Sequence, residues 1–177
     1  MARLGFLWPV ETATNATAWF FDYNDLATST TPLSIIWLWA LVNITNDTLW
    51  PNTNILYWPA GVSWIWDTVW NAFDFSSLNI WDTIEIRLDI ELTSLLNNTE
   101  VSVDLVIADG EIGSYSLPFI TATDFKNAWV YNILRYNWIY IGDNLTKNNP
   151  ARFKIKSDKN CSVKVHWFFC NIIRRKP

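Results

Sequence analysis

The stretch Thr83-Ile84-Glu85-Ile86-Arg87-Leu88-Asp89-Ile90-Glu91-Leu92 decides the fold. Its apolar and polar residues alternate without an error, so Ile84, Ile86, Leu88, Ile90 and Leu92 share one face of an extended chain and Thr83, Glu85, Arg87, Asp89 and Glu91 share the other. Such a segment is a half-buried β-strand. The same period recurs at Val101, Val103, Leu105 and Ile107, at Trp129, Tyr131 and Ile133, at Phe153 and Ile155, and at Cys161, Val163, Val165 and Trp167. The chain therefore encodes antiparallel sheets with one face in a core and the other open to water or a partner.

Turn signals separate these runs at the spacing of a sandwich or barrel. Asn97-Asn98, Asp109-Gly110 and Ser157-Asp158-Lys159-Asn160 each read as a hairpin or tight connection, and the polar run Asp143 to Asn149 reads as a surface loop. Further strands are expected at Trp19–Phe21, at Ser34–Val42 as one segment covered on both faces, at Ile55–Trp58 and at Ser116–Ile120. No helix is assigned. Trp64 to Phe75 is either a single helical turn or a surface loop anchored by Trp66, Trp70 and Phe73, and Asn43–Asn54 and Asp67–Asn79 are candidate binding loops. With eight or more strands, no linker and no internal repeat, the expectation is all-β: one antiparallel β-sandwich domain of jelly-roll type over residues 1–177, with residues 1–20 as an extended N-terminal arm.

A chain of 177 residues can bury roughly 70% of its unfolded surface in one core. Thirteen residues are Trp, nine of them between Trp8 and Trp70, which is more aromatic area than such a core needs. Some rings are expected outside, where an aromatic patch marks an interface or a ligand surface. No apolar run reaches the ~18 residues of a membrane-spanning helix, and Pro9 interrupts the apolar stretch Leu4–Val10, so neither a membrane nor a secretory leader is expected. The six Asn-x-Ser/Thr sequons are at the density an Asn- and Thr-rich chain produces by chance.

The net charge of −4 hides a division. Residues 1–125 hold 15 acidic and 2 basic side chains, and residues 126–177 hold 2 acidic and 11 basic, giving −13 against +9. Arg152, Lys154, Lys156 and Lys164 are expected to face Glu85, Asp89 and Glu91 across strands or between subunits, and Arg174 and Arg175 to reach an acidic partner.

Catalytic chemistry finds few residues. One histidine, His166, and two cysteines, Cys161 and Cys170, are too few for zinc and sit on one strand. Nine residues apart on a straight strand, the cysteines would be ~30 Å from each other and on opposite faces, beyond the ~7 Å reach of a disulfide. Calcium could draw on Asp143, Asn144 and Asp158, but no spaced acidic loop is present. Asp89 and Glu91 stand ~7 Å apart, an inverting-glycosidase separation that any alternating strand generates, and Arg87 beside them favours ionised acids. No phosphate loop exists among five glycines, and the acidic remainder of the chain opposes nucleic-acid packaging. No cofactor is expected.

The succession Phe21-Asp22-Tyr23-Asn24-Asp25 with Thr31-Pro32, then Phe73-Asp74-Phe75, then Ile84 to Asp89, resembles small virion proteins of tailed bacteriophages. Gly142-Asp143 through Asn149-Pro150, Ile155-Lys156-Ser157-Asp158 and the basic end at Arg174-Arg175 fit the same group. The resemblance implies a jelly-roll decoration, fibre or spike component, non-enzymatic, assembled in the host cytoplasm as a homo-oligomer, a trimer favoured, and bound to other virion proteins. The chain departs from that group at Trp37, Trp39, Trp64 and Trp70, where small residues are expected. The expected contact residues are Trp37, Trp39, Trp64, Trp66 and Trp70 for aromatic burial, with Arg152, Lys154, Lys156, Arg174 and Arg175 for electrostatic docking. The alternative is a lectin-like receptor-binding module that holds a glycan with exposed Trp and Tyr and loop Asn and Asp.

Overall fold

A computed structural model describes residues 18–24, 31–36, 42–43, 61–62, 65–67 and 69–174, with backbone alone for 18–24, 42–43, 122–124 and 167. Its elements are β1 (Ala18–Asn24), β2 (Leu33–Ile35), β3 (Val42–Asn43), β4 (Trp66–Asp67), β5 (Ala72–Phe73), β6 (Thr83–Ser94), β7 (Thr99–Ile107), β8 (Tyr115–Phe125), β9 (Val130–Tyr140), α1 (Asn144–Asn148), β10 (Arg152–Ser157) and β11 (Cys161–Ile173).

The error-free stretch forms the long β6. Its even-numbered residues are buried and its odd-numbered ones half-buried along its whole length. It pairs with β11 on one side and β9 on the other. One layer runs β1-β11-β6-β9, with β2 also on β11, and the other runs β3-β10-β7-β8, every pairing antiparallel. With the short β2 set aside, the other eight layer strands, numbered along the chain, appear as 1-8-3-6 and 2-7-4-5. Successive strands thus change layer at almost every step, the interleaved Greek keys of a jelly roll. Between the layers lie Ile84 to Leu92 of β6, Val101 to Ile107 of β7, Phe153 and Ile155 of β10, and both halves of β11.

An aromatic cluster joins the layers. Phe168 of β11 stacks on Phe153 of β10 at 5.4 Å, and Phe119 of β8 meets Phe153 edge-on at 4.8 Å. The β4–β5 hairpin closes the cluster, with Phe73 at 5.7 Å from Phe153, 5.8 Å from Phe168 and 4.6 Å from Trp66. Within Trp64 to Phe75, expected as a helical turn or loop, the described residues form a hairpin whose Trp66 and Phe73 point inward.

Four readings change or sharpen for physical reasons. The strand expected over Ser34–Val42 is two, β2 on β11 and β3 on β10, so its ends belong to different layers. Asn97-Asn98 and Ser157–Asn160, read as hairpins or tight connections, are tight connections that arch between layers, since β6 and β11 lie in one and β7 and β10 in the other. The arches lie side by side: Glu100 N–H donates to Asp158 Oδ1 at 2.7 Å, and Lys159 Nζ donates to the carbonyls of Asn97 and Asn98. Buried Ser94, Thr99 and Ser157 take up the bent backbone's polar groups, Ser94 Oγ meeting Thr99 Oγ1 at 2.7 Å and Ser157 Oγ donating to the Lys159 carbonyl. The polar loop holds α1, because Asp143 accepts the Thr146 N–H at 2.7 Å as an N-cap.

The fourth change concerns β11. A register shift between Val165 and Trp167 inserts one residue at His166, so the inward set is Cys161, Val163 and Val165, then Phe168, Cys170 and Ile172, rather than continuing at Trp167. Both cysteines consequently face the core, free and buried, although nine residues apart. Asp109-Gly110 does close a hairpin within one layer, between β7 and β8, with Ala108 at φ 54° and Gly110 at φ 94°. Of the expected arm, residues 18–20 open β1. The rest of it and the strand expected at Ile55–Trp58 lie outside the described residues.

Phe73 is fully buried and touches rings from both layers. Phe73→Ala should lower unfolding stability by about 3–5 kcal/mol, read from urea midpoints, as expected for loss of a core aromatic. A loss below about 1 kcal/mol would show that the cluster does not hold the layers together.

Candidate functional site

The outer face of the first layer carries a charged stripe and an aromatic one. Along β6 the outward residues are Glu85, Arg87, Asp89 and Glu91, and opposite them on β9 stand Trp138, Tyr136, Leu134 and Asn132. β9 pairs with β6 alone, so among the described residues it is an edge strand. Its outward Leu134, Tyr136, Trp138 and Tyr140 are 42–64% exposed, far more than a packed face allows. Natural edge strands are usually blunted by charge, proline or a bulge. The charge on β9 is Arg135, whose Nη1 donates to the Leu134 carbonyl at 2.9 Å.

The apolar stripe continues past both ends of β9. Exposed Trp81 packs against Tyr140 at 5.9 Å. At the other end Val130 and Trp129 are exposed, and the Trp129 carbonyl accepts from Ser94, bringing exposed Leu95 and Leu96 alongside. Patches of this length on a soluble fold mark interaction surfaces. Sequence reading took Trp129, Tyr131 and Ile133 as the apolar face and missed the opposite parity. The available signal was apolar residues at both parities of 129–140, which also describes a strand covered on both sides.

A second feature lies at the end of the sandwich away from the arches. The bridge between Phe73 and Ala151 brings the β4–β5 hairpin against the start of β10 and leaves a cavity of about 460 Å³. It is lined by Trp70, Asp67, Asp74, Asn148 and Arg152 over a floor of Ala72 and Phe73. Asp67 Oδ1 holds the turn by accepting from Val69 and Trp70 N–H at 2.8 and 3.0 Å, and Asp74 Oδ1 accepts from Ser76 N–H at 2.8 Å. Asp67–Asn79, expected as a binding loop, supplies one wall of this cavity.

Of the expected contact residues, Trp70 is 67% exposed at the cavity, whereas Trp66 is buried in the core and touches Phe168 at 4.9 Å. Trp37, Trp39, Trp64 and Arg175 lie outside the described residues. Within one copy Arg152, Lys154 and Lys156 do not face Glu85, Asp89 and Glu91, because β10 and β6 belong to different layers. Arg152 Nη1 and Lys154 Nζ instead clasp Asp109, at 3.1 and 2.5 Å. Lys156 acts on Asp104 of β7, whose carboxyl is raised by burial and pulled back down by that charge. Lys164 does reach β6, 2.8 Å from Glu91. Arg174 Nε lies 3.5 Å from fully buried Asp82, and its Nη2 donates to the Ser77 carbonyl. Arg87 sits over the Phe169 ring at 5.3 Å.

Burial pushes the Cys170 thiol well up and the Cys161 thiol up, the latter against a hydrogen bond from Ser157, so both stay protonated at neutral pH. His166 is half-buried at the β11 bulge. Asp143 and Asp158, weighed above as calcium ligands, lie at opposite ends of the sandwich, one capping α1 and the other in an arch. Among the described residues no group of three or more His, Cys, Asp or Glu is gathered to hold a metal.

No protein-family model matches the chain, and no curated protein matches it in sequence. Solved structures resemble it in shape. Infectious bursal disease virus Gx strain aligns at 8% identity over 90% of this chain and 32% of that one, with a TM-score of 0.41. The VP2 subviral particle of infectious bursal disease virus aligns at 6% over 93% and 32%, at 0.40. Eiger TNF from S. frugiperda aligns at 8% over 92% and 96%, at 0.47. This chain spans about a third of the length of the bursal-disease-virus chains it matches. Its jelly-roll assignment rests on the strand order itself.

The Asp109 clasp gives a pH prediction. Burial alone would raise its carboxyl, but the hydrogen bonds and charges of Lys154 and Arg152 outweigh that and hold it below the usual carboxylate range. With the folded value depressed, the stabilisation is complete above the unfolded value near 4 and disappears as pH falls through the folded value. Asp109→Asn should cost on the order of 1 kcal/mol at pH 7, and the difference from the parent should shrink in denaturant titrations below about pH 4. A difference that stays constant down to pH 2 would contradict the clasp.

Proposed function

We propose that the chain is a non-enzymatic structural protein of a virus particle, a jelly roll that self-associates and attaches to a phage head or tail surface. The observation that carries this reading is the β9 edge, unpaired among the described residues, with Leu134, Tyr136, Trp138 and Tyr140 facing out beside a charged strand. Jelly rolls are a common architecture of capsid and lectin domains, and the resemblance of the sequence to small phage virion proteins points in the same direction. The fold supplies the scaffold; the edge supplies the adhesion.

The occupant is a second copy of this chain. Among the described residues β9 has no strand on its outer edge, where only local side chains meet its backbone at Leu134 and Trp138, and with its large rings that edge suits sheet extension or ring-on-sheet packing by an identical neighbour. A β9–β9 contact would be two-fold, whereas the expected trimer sets β9 of one copy against a different surface of the next. Arg152, Lys154 and Arg174 already have acidic partners within the chain, so their charges add little to docking and the aromatic area carries the contact. A standard interface buries about 800 Å² per partner, and a few aromatic anchors can dominate its energy.

Size-exclusion chromatography with light scattering at micromolar concentration should give a dimer or trimer mass, and Tyr136→Glu with Trp138→Glu should reduce it to a monomer while leaving the circular-dichroism spectrum unchanged. A monomeric parent would sink self-association, and electron microscopy of purified particles lacking this chain would sink the virion assignment.

A further inference from the structure

The cavity at the β4–β5 hairpin is independent of the β9 edge and has a chemistry of its own. We infer that it binds a neutral saccharide, with the sugar ring stacked on Trp70 and its hydroxyls held by Asp67, Asp74, Asn148 and Arg152.

Size comes first. About 460 Å³ lies within the range of small-molecule sites and accommodates one or two sugar rings. The floor of Ala72 and Phe73 is buried and apolar, while Trp70 is 67% exposed at the rim. A tryptophan left that accessible beside a concavity presents a flat π-face, to which the C–H face of a pyranose is complementary.

The polar groups narrow the class further. Asp67 and Asp74 each use Oδ1 to fix backbone in their own turns, and neither Oδ2 meets a donor among the described residues. Each carboxylate therefore brings one unengaged acceptor oxygen to the cavity lining. Arg152 and the Asn148 amide supply donors on the opposite wall, and Arg152 is positioned from both sides, its Nε donating to the Trp70 carbonyl at 3.3 Å and its Nη1 to Asp109 at 3.1 Å. An anion would meet two carboxylates, and a cation would meet the guanidinium. A hydroxyl donates and accepts at once, and several hydroxyls on an apolar ring match a cavity with acceptors on one wall, donors on the other and an indole at the rim.

The strand pairing makes the site rigid. Phe73 N–H donates to the Ala151 carbonyl at 2.8 Å and Ala151 N–H returns to Phe73 at 3.0 Å, so the hairpin wall and the β10 wall are fixed relative to each other. A preformed site loses little entropy on binding.

The test uses the full chain and a panel of neutral sugars: glucose, galactose, mannose, N-acetylglucosamine, lactose and cellobiose, with choline as a cationic probe, followed by saturation-transfer NMR and titration calorimetry. At least one sugar should bind with Kd below about 10 mM, and Trp70→Ala should weaken it by about fivefold or more with the melting temperature and oligomeric mass unchanged. Ser76→Trp, an exposed lining position that fills the cavity, should weaken it likewise. The inference is overturned if no sugar of the panel binds, if choline binds more tightly than every sugar, or if both variants bind within about twofold of the parent. Self-association is read separately from the mass, so failure of either proposal leaves the other standing.

Discussion

The packing of Phe73, Phe119, Phe153 and Phe168 between the layers is the contact on which the rest of this molecule depends. The four rings come from the hairpin, β8, β10 and β11, and they meet within 6 Å of one another in a chain of contacts. Hydrogen bonds assemble each sheet, and only a few, such as Ser94 Oγ to Thr99 Oγ1, pass from one sheet to the other. The adhesion between sheets is mainly dispersion and removal of apolar area from water, and rings supply the most of both per residue. Because Phe73 is one of the four, the same packing that joins the layers also fixes the hairpin, and with it the wall of the cavity that Trp70 crowns. Core and candidate site are thus one mechanical unit.

Much of the scaffold was legible in the sequence because period two is a local property. β6 reads directly off Thr83–Leu92, and β7 and β10 nearly so. What failed to read off locally was whatever depended on partners. β9 has apolar residues at both parities, and only the folded chain reveals that one of those faces is exposed among the described residues. The segment Ser34–Val42 looks like one strand, yet its ends are claimed by different layers. In β11 the apolar pattern changes parity after Val165, a visible signal of the bulge that the run from Cys161 to Trp167 conceals by ending on another large ring. Cavity-lining Asp67 and Asn148 are 81 positions apart, and no periodicity links them.

Charge followed the same logic. The sequence separates −13 from +9, and opposite charges do meet, but the partners are chosen by layer: Arg152 and Lys154 go to Asp109 at the end of the neighbouring β7, while Lys164 goes to Glu91. Arg174 reaches the fully buried Asp82, whose Oδ2 also accepts the Asn79 N–H at 2.8 Å, tying the end of the last described strand to the entrance of β6. These compensations leave the exterior's character to its rings. That is why the aromatic edge, rather than the basic strands, bears the adhesive reading.

The first strands of the chain have a demanding position. β1 and β2 both pair with β11, and β3 pairs with β10, so among the described residues these three strands find their sheet partners in the last quarter of the sequence. During synthesis on the ribosome that region emerges long before anything it can dock against, and it is rich in tryptophan. Completion of the sandwich therefore waits on closure of very long loops, a slow class of folding step. Until β10 and β11 exist, the strand edges and rings of that early region are open to association with other unfinished copies.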